Sequence, residues 1–124
     1  MSLLLNSFSS GPIRLKNRFV RSATGESRAN EEGCLKDTVF PIYKKLADGG
    51  VGLIITGHIY VHPLWKCSPR QTGIWDDRHL PGLMRLAEAS KINGAHAVAQ
   101  INYPARPPAD LTVEEIAEAA SCFV

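Results

Sequence analysis

Apolar and polar positions alternate along the chain in a repeating order of short strands and helices. Leu3 to Phe8 and Ile13 to Leu15 flank Ser9-Ser10-Gly11-Pro12, a pattern that predicts a small hairpin or turn. Phe19-Val20 opens a short strand that runs into Ser22-Ala23-Thr24-Gly25, and Asn30 to Gly33 reads as a loop. Asp37 reads as a helix N-cap. Val39, Ile42, Tyr43, Leu46 and Ala47 then fall on one helical face, until Gly49-Gly50 stops the helix. Val51 to Thr56 is apolar and rich in β-branched residues, as in a strand buried on both faces of a parallel sheet. His58 to Asp77, with Pro63, Pro69, Trp65 and Trp75, reads as an irregular excursion. A second helix is predicted from about Leu80 to Asn93, with Leu80, Leu83, Met84 and Ala87 on its inward face and Gly94 as its cap. Ala95 to Ile101 is a third strand, and Thr112-Val113-Glu114-Glu115 is a capping box opening a third helix. That order, β-α-β-α-β-α, predicts an α/β class with right-handed parallel crossovers.

Composition narrows the partners. The 124 residues are 44% hydrophobic and 21% charged, with a net charge of +2. The basic residues are scattered among acids, so no nucleic-acid partner is expected. No stretch approaches the ~18 apolar residues of a membrane span. The Leu3-Leu4-Leu5 run has no basic residues before it and no cleavage signature after it, so it is not read as a signal peptide. Cys34, Cys67 and Cys122 form no C-x-x-C pair and are odd in number, which favours a reducing, cytoplasmic setting.

The two common glycine-rich phosphate motifs are absent. Gly49-Gly50-Val51-Gly52 precedes a strand, the wrong end of a parallel sheet for a ligand. The carboxyl ends of the strands carry the chemistry instead: Ser22-Ala23-Thr24-Gly25-Glu26, Thr56-Gly57-His58 and Gln100-Ile101-Asn102-Tyr103. Small residues there admit a flat ligand to the backbone, and Gln100 offers both a donor and an acceptor to a ring edge. Ordinary strand-to-loop transitions are polar too, and that plainer reading stands beside the ligand site. His58 and His62 are four apart in a proline-bearing loop, so they are not a helical metal pair and no metal is expected. His79 is read as exposed and His96 as structural; Cys34 has no neighbouring histidine to activate it.

These strand ends carry a family resemblance. Leu15-Lys16-Asn17-Arg18-Phe19-Val20-Arg21-Ser22-Ala23-Thr24 resembles the first barrel strand of the old yellow enzyme group of flavin oxidoreductases. Tyr43 to Gly57 resembles that group's first helix and second strand, Gln100-Ile101-Asn102 its third strand, and Leu111 to Ile116 the start of its third helix. The resemblance implies the first three β/α units of a (β/α)8 TIM barrel, as a single partial domain with a hairpin over residues 1–16 and the barrel units over 17–124. It implies FMN as cofactor and NAD(P)H as co-substrate, with hydride passed on to an activated alkene or similar small-molecule acceptor. Mapped onto this sequence, Ala23, Thr24 and Gly25 line the flavin ring, His58 lies beside it, and Gln100 bonds its pyrimidine edge. Arg106 aligns with an arginine at the end of the third-strand motif.

A full barrel needs about 250 residues. Three strands of eight leave the sheet edges open. The expected function is therefore the N-terminal part of an FMN-dependent NAD(P)H oxidoreductase that turns over nothing as the isolated chain, with no catalytic residue assigned within it. The alternative is a half-barrel assembly module that pairs with a second copy or with a separate C-terminal half.

Overall fold

In a computed structural model of the chain, which describes residues 2–102 and Thr112, a buried asparagine pins the segment leading to Val20 to the turn before the longest strand. Asn17 donates through Nδ2 to the Gly50 carbonyl at 2.7 Å and accepts the Phe19 N–H at 3.1 Å. Ahead of it, β1 (Phe8–Ser10) and β2 (Ile13–Leu15) form an antiparallel hairpin around Gly11, whose φ of +54° suits a residue without a side chain. Leu3–Leu5, expected to belong to this hairpin, is a 3-10 turn with exposed leucines.

The parallel sheet is built on β4 (Leu53–Tyr60). β3 (Val20–Arg21) pairs with its first half, as Val20 opposite Leu53 and Arg21 opposite Ile54. β5 (Thr72–Gly73) pairs with its last residues, as Ile59 opposite Thr72 and Tyr60 opposite Gly73. β6 (His96–Asn102) runs parallel to β4 along most of its length. Two departures from expectation follow. β4 continues through His58 to Tyr60, so His58 stands in the sheet and not in a loop. The excursion after it contributes β5, a strand of two residues too short to show a periodicity.

Two helices are seen among the described residues. Lys36, not Asp37, precedes the 3-10 turn Asp37–Val39 that leads into α1 (Phe40–Asp48), and Asp37 meets Arg85 at 2.8 Å instead of capping. α1 ends at Gly49-Gly50, with Gly50 at φ +90°. Val39, Tyr43 and Ala47 are buried as the spacing predicts, with Ile42 and Leu46 packed beside them.

α2 (Leu80–Ser90) follows a 3-10 turn capped by Asp76, whose carboxylate accepts the Arg78 N–H at 2.9 Å. Arg78's side chain and backbone N–H hold the Asp76 carboxyl below the usual carboxylate range. The inward face is rotated from the one expected: of the four residues predicted inward, Leu83 and Ala87 are half-buried and line a cavity with Leu86 and Ser90. Leu80 and Met84 are exposed, whereas Leu86 and Ser90 are buried and Ala89 packs against the core. Gly82 explains the choice, since a Cβ there would stand 3.3 Å from Leu35 Cβ. Glycine at 82 lets the helix approach Leu35 closely, with Leu86 in the core beyond it. Helix and sheet share one core of Val39, Phe40, Tyr43, Ala47, Ile54, Leu86 and Ala95.

His79, expected at the surface, is 2% exposed. Its Nδ1 lies 2.8 Å from the Asp76 carbonyl oxygen and its Nε2 3.0 Å from that of Glu32. The capping box at 112–115, the helix expected after it and Arg106 lie outside the described residues, Thr112 excepted.

Candidate functional site

The carboxyl ends of β3, β4 and β6 share one end of the sheet, and an irregularity in β4 decides what meets what there. Ile55 pairs with Val98, but the next pair is His58 with Gln100, so β4 carries one residue more than β6 between the two rungs. Such a bulge re-aims the side chains beyond it. Here it moves His58, instead of Gly57, opposite Gln100. Thr56 mends the interrupted ladder: its Oγ1 accepts the Gln100 N–H at 3.1 Å and donates to the Gly57 carbonyl at 2.9 Å.

The segment leaving β3 closes over this bulge. A Cβ on Gly25 would stand 3.4 Å from the His58 ring, so residue 25 packs directly on that imidazole. Gly57 leaves even less room, with Glu26 Oε2 at 2.6 Å and the Thr24 carbonyl oxygen at 2.7 Å from the position of a Cβ. Gly25, His58 and Gln100 are thus assembled into one patch from β4, β6 and the segment leaving β3. Ala23 and His58 are half-buried, while Thr24, Gly25 and Gln100 are exposed. The Thr24 hydroxyl turns back to the Ser22 carbonyl at 3.2 Å. His62 lies past the end of β4, where its Nδ1 accepts the Leu64 N–H at 3.4 Å, and His96 is exposed at the far end of β6.

Beneath the patch lies a cluster that sequence reasoning missed. Arg21 donates to the Ile55 carbonyl at 2.8 Å, to the Thr24 carbonyl at 3.3 Å and to Glu26 Oε1 at 2.5 Å. Tyr43, from α1, donates to the same carboxylate oxygen at 2.6 Å and accepts the Gly57 N–H at 3.2 Å. The Arg21 and Glu26 side chains are 14% and 13% exposed, so the pair is largely desolvated and its remaining hydrogen bonds matter. Burial first, and then the Glu26 carboxylate, push the Tyr43 phenol far above the ordinary tyrosine range. Its hydroxyl is therefore a fixed donor, not an acid. The available sequence signal was an arginine inside an otherwise apolar strand; nothing in the spacing of residues 21, 26 and 43 shows that they meet.

Fold and site together define a parallel β/α unit whose strand ends form a flat patch, poor in side chains, over a buried ion pair. Residues 4–122 match the model of the NADH:flavin oxidoreductase / NADH oxidase family, and the chain belongs to that family. It is 36% identical over 93 residues to the 4,4'-dithiodibutanoate disulfide reductase of Rhodococcus erythropolis, covering 75% of this chain and 23% of that protein. It is 32% identical over 124 residues to an NADPH dehydrogenase of Listeria monocytogenes, covering 99% of this chain and 36% of that one. The old yellow enzyme homologue from Zymomonas mobilis superposes on it with a TM-score of 0.74 at 22% identity, covering 81% of this chain and 28% of that structure. The described strands and helices are thus the opening β/α units of a TIM barrel, and their sheet is not closed. The chain spans about a quarter to a third of the length of these two relatives.

The residues present fit the flavin this family takes. A planar ring system needs a surface where backbone and small groups come forward. Gly25, exposed beside the His58 ring, supplies it, while Gly57 is buried beneath Glu26 and Thr24 and lets that segment close down on the strand. Gln100, exposed on β6, presents an amide suited to the donor–acceptor edge of such a ring.

Proposed function

We propose that the chain supplies the isoalloxazine-facing strand ends of an FMN-dependent NAD(P)H oxidoreductase, as a single partial barrel domain with its hairpin at residues 1–16. The observation that carries this reading is the bulge in β4, which sets His58 opposite Gln100 while Gly25 packs on the His58 ring. When bound, FMN supplies the hydride relay from NAD(P)H to an activated alkene or similar acceptor. The backbone of Ala23, Thr24 and Gly25 lies along the ring, His58 borders it, and Gln100 hydrogen-bonds its pyrimidine edge. Arg21, Glu26 and Tyr43 are positioning residues that hold this arrangement from below. Turnover requires the rest of the barrel, so the isolated chain binds FMN and does not catalyse.

A second reading is supported by Phe19 and Val20 at β3, and by Val98 and Ile101 on β6, which are 42 to 51% exposed. Apolar side chains beside open sheet edges favour pairing with a second copy or with a separate C-terminal half-barrel. Titration with FMN, followed by flavin fluorescence with the solution mass recorded alongside, tests both. Saturable binding by the monomer supports the first reading, and binding only by a larger assembly supports the second. Absence of binding in either state refutes the flavin site for this chain.

A further inference from the structure

Beside the proposed flavin patch, a cleft of about 390 Å³ opens between the loop after β3 and the start of α1, lined by Glu26, Ser27, Arg28, Lys36, Thr38 and Arg70. Three of these six residues are cations. Among the described residues none of Arg28, Lys36 or Arg70 enters an ion pair, whereas the only acid of the lining, Glu26, is already engaged by Arg21. The positive charge of the cleft is therefore uncompensated, and such a concentration attracts and orients oxyanions.

The backbone holds these cations together. The Lys36 N–H donates to the Arg28 carbonyl at 3.0 Å, and the Ala29 N–H donates to the Arg70 carbonyl at 3.2 Å. The three side chains thus leave from points tied to one another, although residues 28, 36 and 70 lie on separate stretches of chain. Ser27 joins the cleft to the patch through a left-handed backbone with φ of +51°. Glu26, Ser27 and Arg70 also line a smaller polar pocket that reaches Gly25, Gly57 and His58. The cationic mouth and the flat patch are therefore two ends of one depression.

We infer that this cleft binds an oxyanion, a phosphate or carboxylate carried by a reactant whose other end lies over the patch. Arg28 and Arg70 provide planar, multidentate donors, Lys36 a third charge, and the Ser27 and Thr38 hydroxyls additional donors. The inference rests on the proposed flavin reading for what lies at the other end, but the anion site itself stands on the cleft alone. The anion belongs either to the nicotinamide co-substrate, which carries phosphates, or to the acceptor, as a carboxylate or phosphate.

The test is calorimetric titration of the 124-residue chain with inorganic pyrophosphate, comparing the wild type with the double variant Arg28→Gln, Arg70→Gln. These side chains are exposed and the bonds tying the loops are backbone bonds, so the variant keeps its fold, as circular dichroism will show. Loss of charge-assisted contacts is expected to weaken pyrophosphate binding about tenfold or more. Equal affinity in the two proteins, or no saturable binding in the wild type, overturns the site. Weaker binding of both NADH and NADPH by the double variant assigns the anion to the diphosphate of the nicotinamide co-substrate, and a loss confined to NADPH assigns it to the additional phosphate of that dinucleotide. Competition with pyrophosphate by a small unsaturated carboxylate such as cinnamate, with NADH and NADPH binding unchanged in the double variant, assigns it to the acceptor. Pyrophosphate binding with neither behaviour overturns the link to a reactant. FMN titration of the same two proteins separates the readings: failure to bind FMN with pyrophosphate binding intact removes the flavin patch alone.

Discussion

Thr56 Oγ1 accepts the backbone N–H of Gln100 at 3.1 Å, across the point where β4 and β6 fall out of register. Without that hydroxyl the bulge would leave a Gln100 donor with no ladder partner. Thr56→Val, which keeps the shape, is expected to cost about 0.5–1.5 kcal/mol in chemical denaturation because a part-buried hydrogen bond is lost. Thr56→Ser should restore most of the loss. Equal stability of the valine variant and the wild type would show that the hydroxyl does not secure the bulge.

Tyr43→Phe removes the bond given to Glu26 and the one taken from the Gly57 N–H, both beneath the patch. A destabilisation of about 1–3 kcal/mol is expected, since the Gly57 donor is left unpaired. The wild type also carries a pH signature. The folded state holds the Tyr43 proton more tightly than the unfolded state does. Its contribution is therefore complete below the ordinary tyrosine pKa of about 10 and is lost as pH rises from there toward the raised folded value. Alkaline denaturation curves for wild type and Tyr43→Phe should converge above that point, and parallel curves would contradict the assignment.

Gly57→Ala and Gly25→Ala separate folding from binding. At position 57 the added methyl meets the Thr24 carbonyl oxygen at 2.7 Å, a backbone atom that cannot step aside cheaply. Overpacking of this kind costs about 1–3 kcal/mol, which thermal denaturation would register. At position 25 the methyl makes ordinary contact with His58 at 3.4 Å, so the melting temperature should hold while FMN affinity falls. A stable Gly25→Ala variant with unchanged FMN affinity would remove residue 25 from the flavin surface.

Gln100→Ala tests the amide directly. The side chain is exposed, so folding should be indifferent to its loss. FMN binding should weaken by about two- to tenfold, the worth of one net hydrogen bond. Retained affinity in fluorescence titration would mean that β6 contributes only backbone to the site.

The orientation of α2 can be tested by two substitutions on its opposite faces. Leu86, 5% exposed, belongs to the core, and Leu86→Ala is expected to cost about 2–5 kcal/mol. Met84, 62% exposed, should accept lysine with a change within about 0.5 kcal/mol. The reverse result would restore the face that periodicity alone suggests.

α2 shows where reading by period reaches its limit. Leu80, Leu83, Met84 and Ala87 make a good apolar stripe, yet only Leu83 and Ala87 of it turn inward, beside Leu86 and Ser90. Periodicity measures only the helix, while burial depends on how near its neighbours can come, as Gly82 does against Leu35. His79 followed the same logic, because the carbonyl of Glu32 that meets its Nε2 lies 47 residues away. α1 was legible because its buried face and its apolar stripe coincide, and because Gly50 at φ +90° ends it where two glycines stand.

The sequence by itself determined the order of the longer strands and of α1 and α2, the hairpin, the stop of α1 and which strand ends carry small or amide-bearing residues. Those features depend on local dihedral preferences and on side chains a few positions apart. Only the tertiary structure decided that β4 bulges at Thr56-Gly57, that His58 therefore faces Gln100, and that Arg21, Glu26 and Tyr43 meet beneath them. It alone drew Arg28, Lys36 and Arg70 to one cleft. Each of these is a register or a contact between distant segments, and such pairings are chosen by the packing of the whole sheet against its helices.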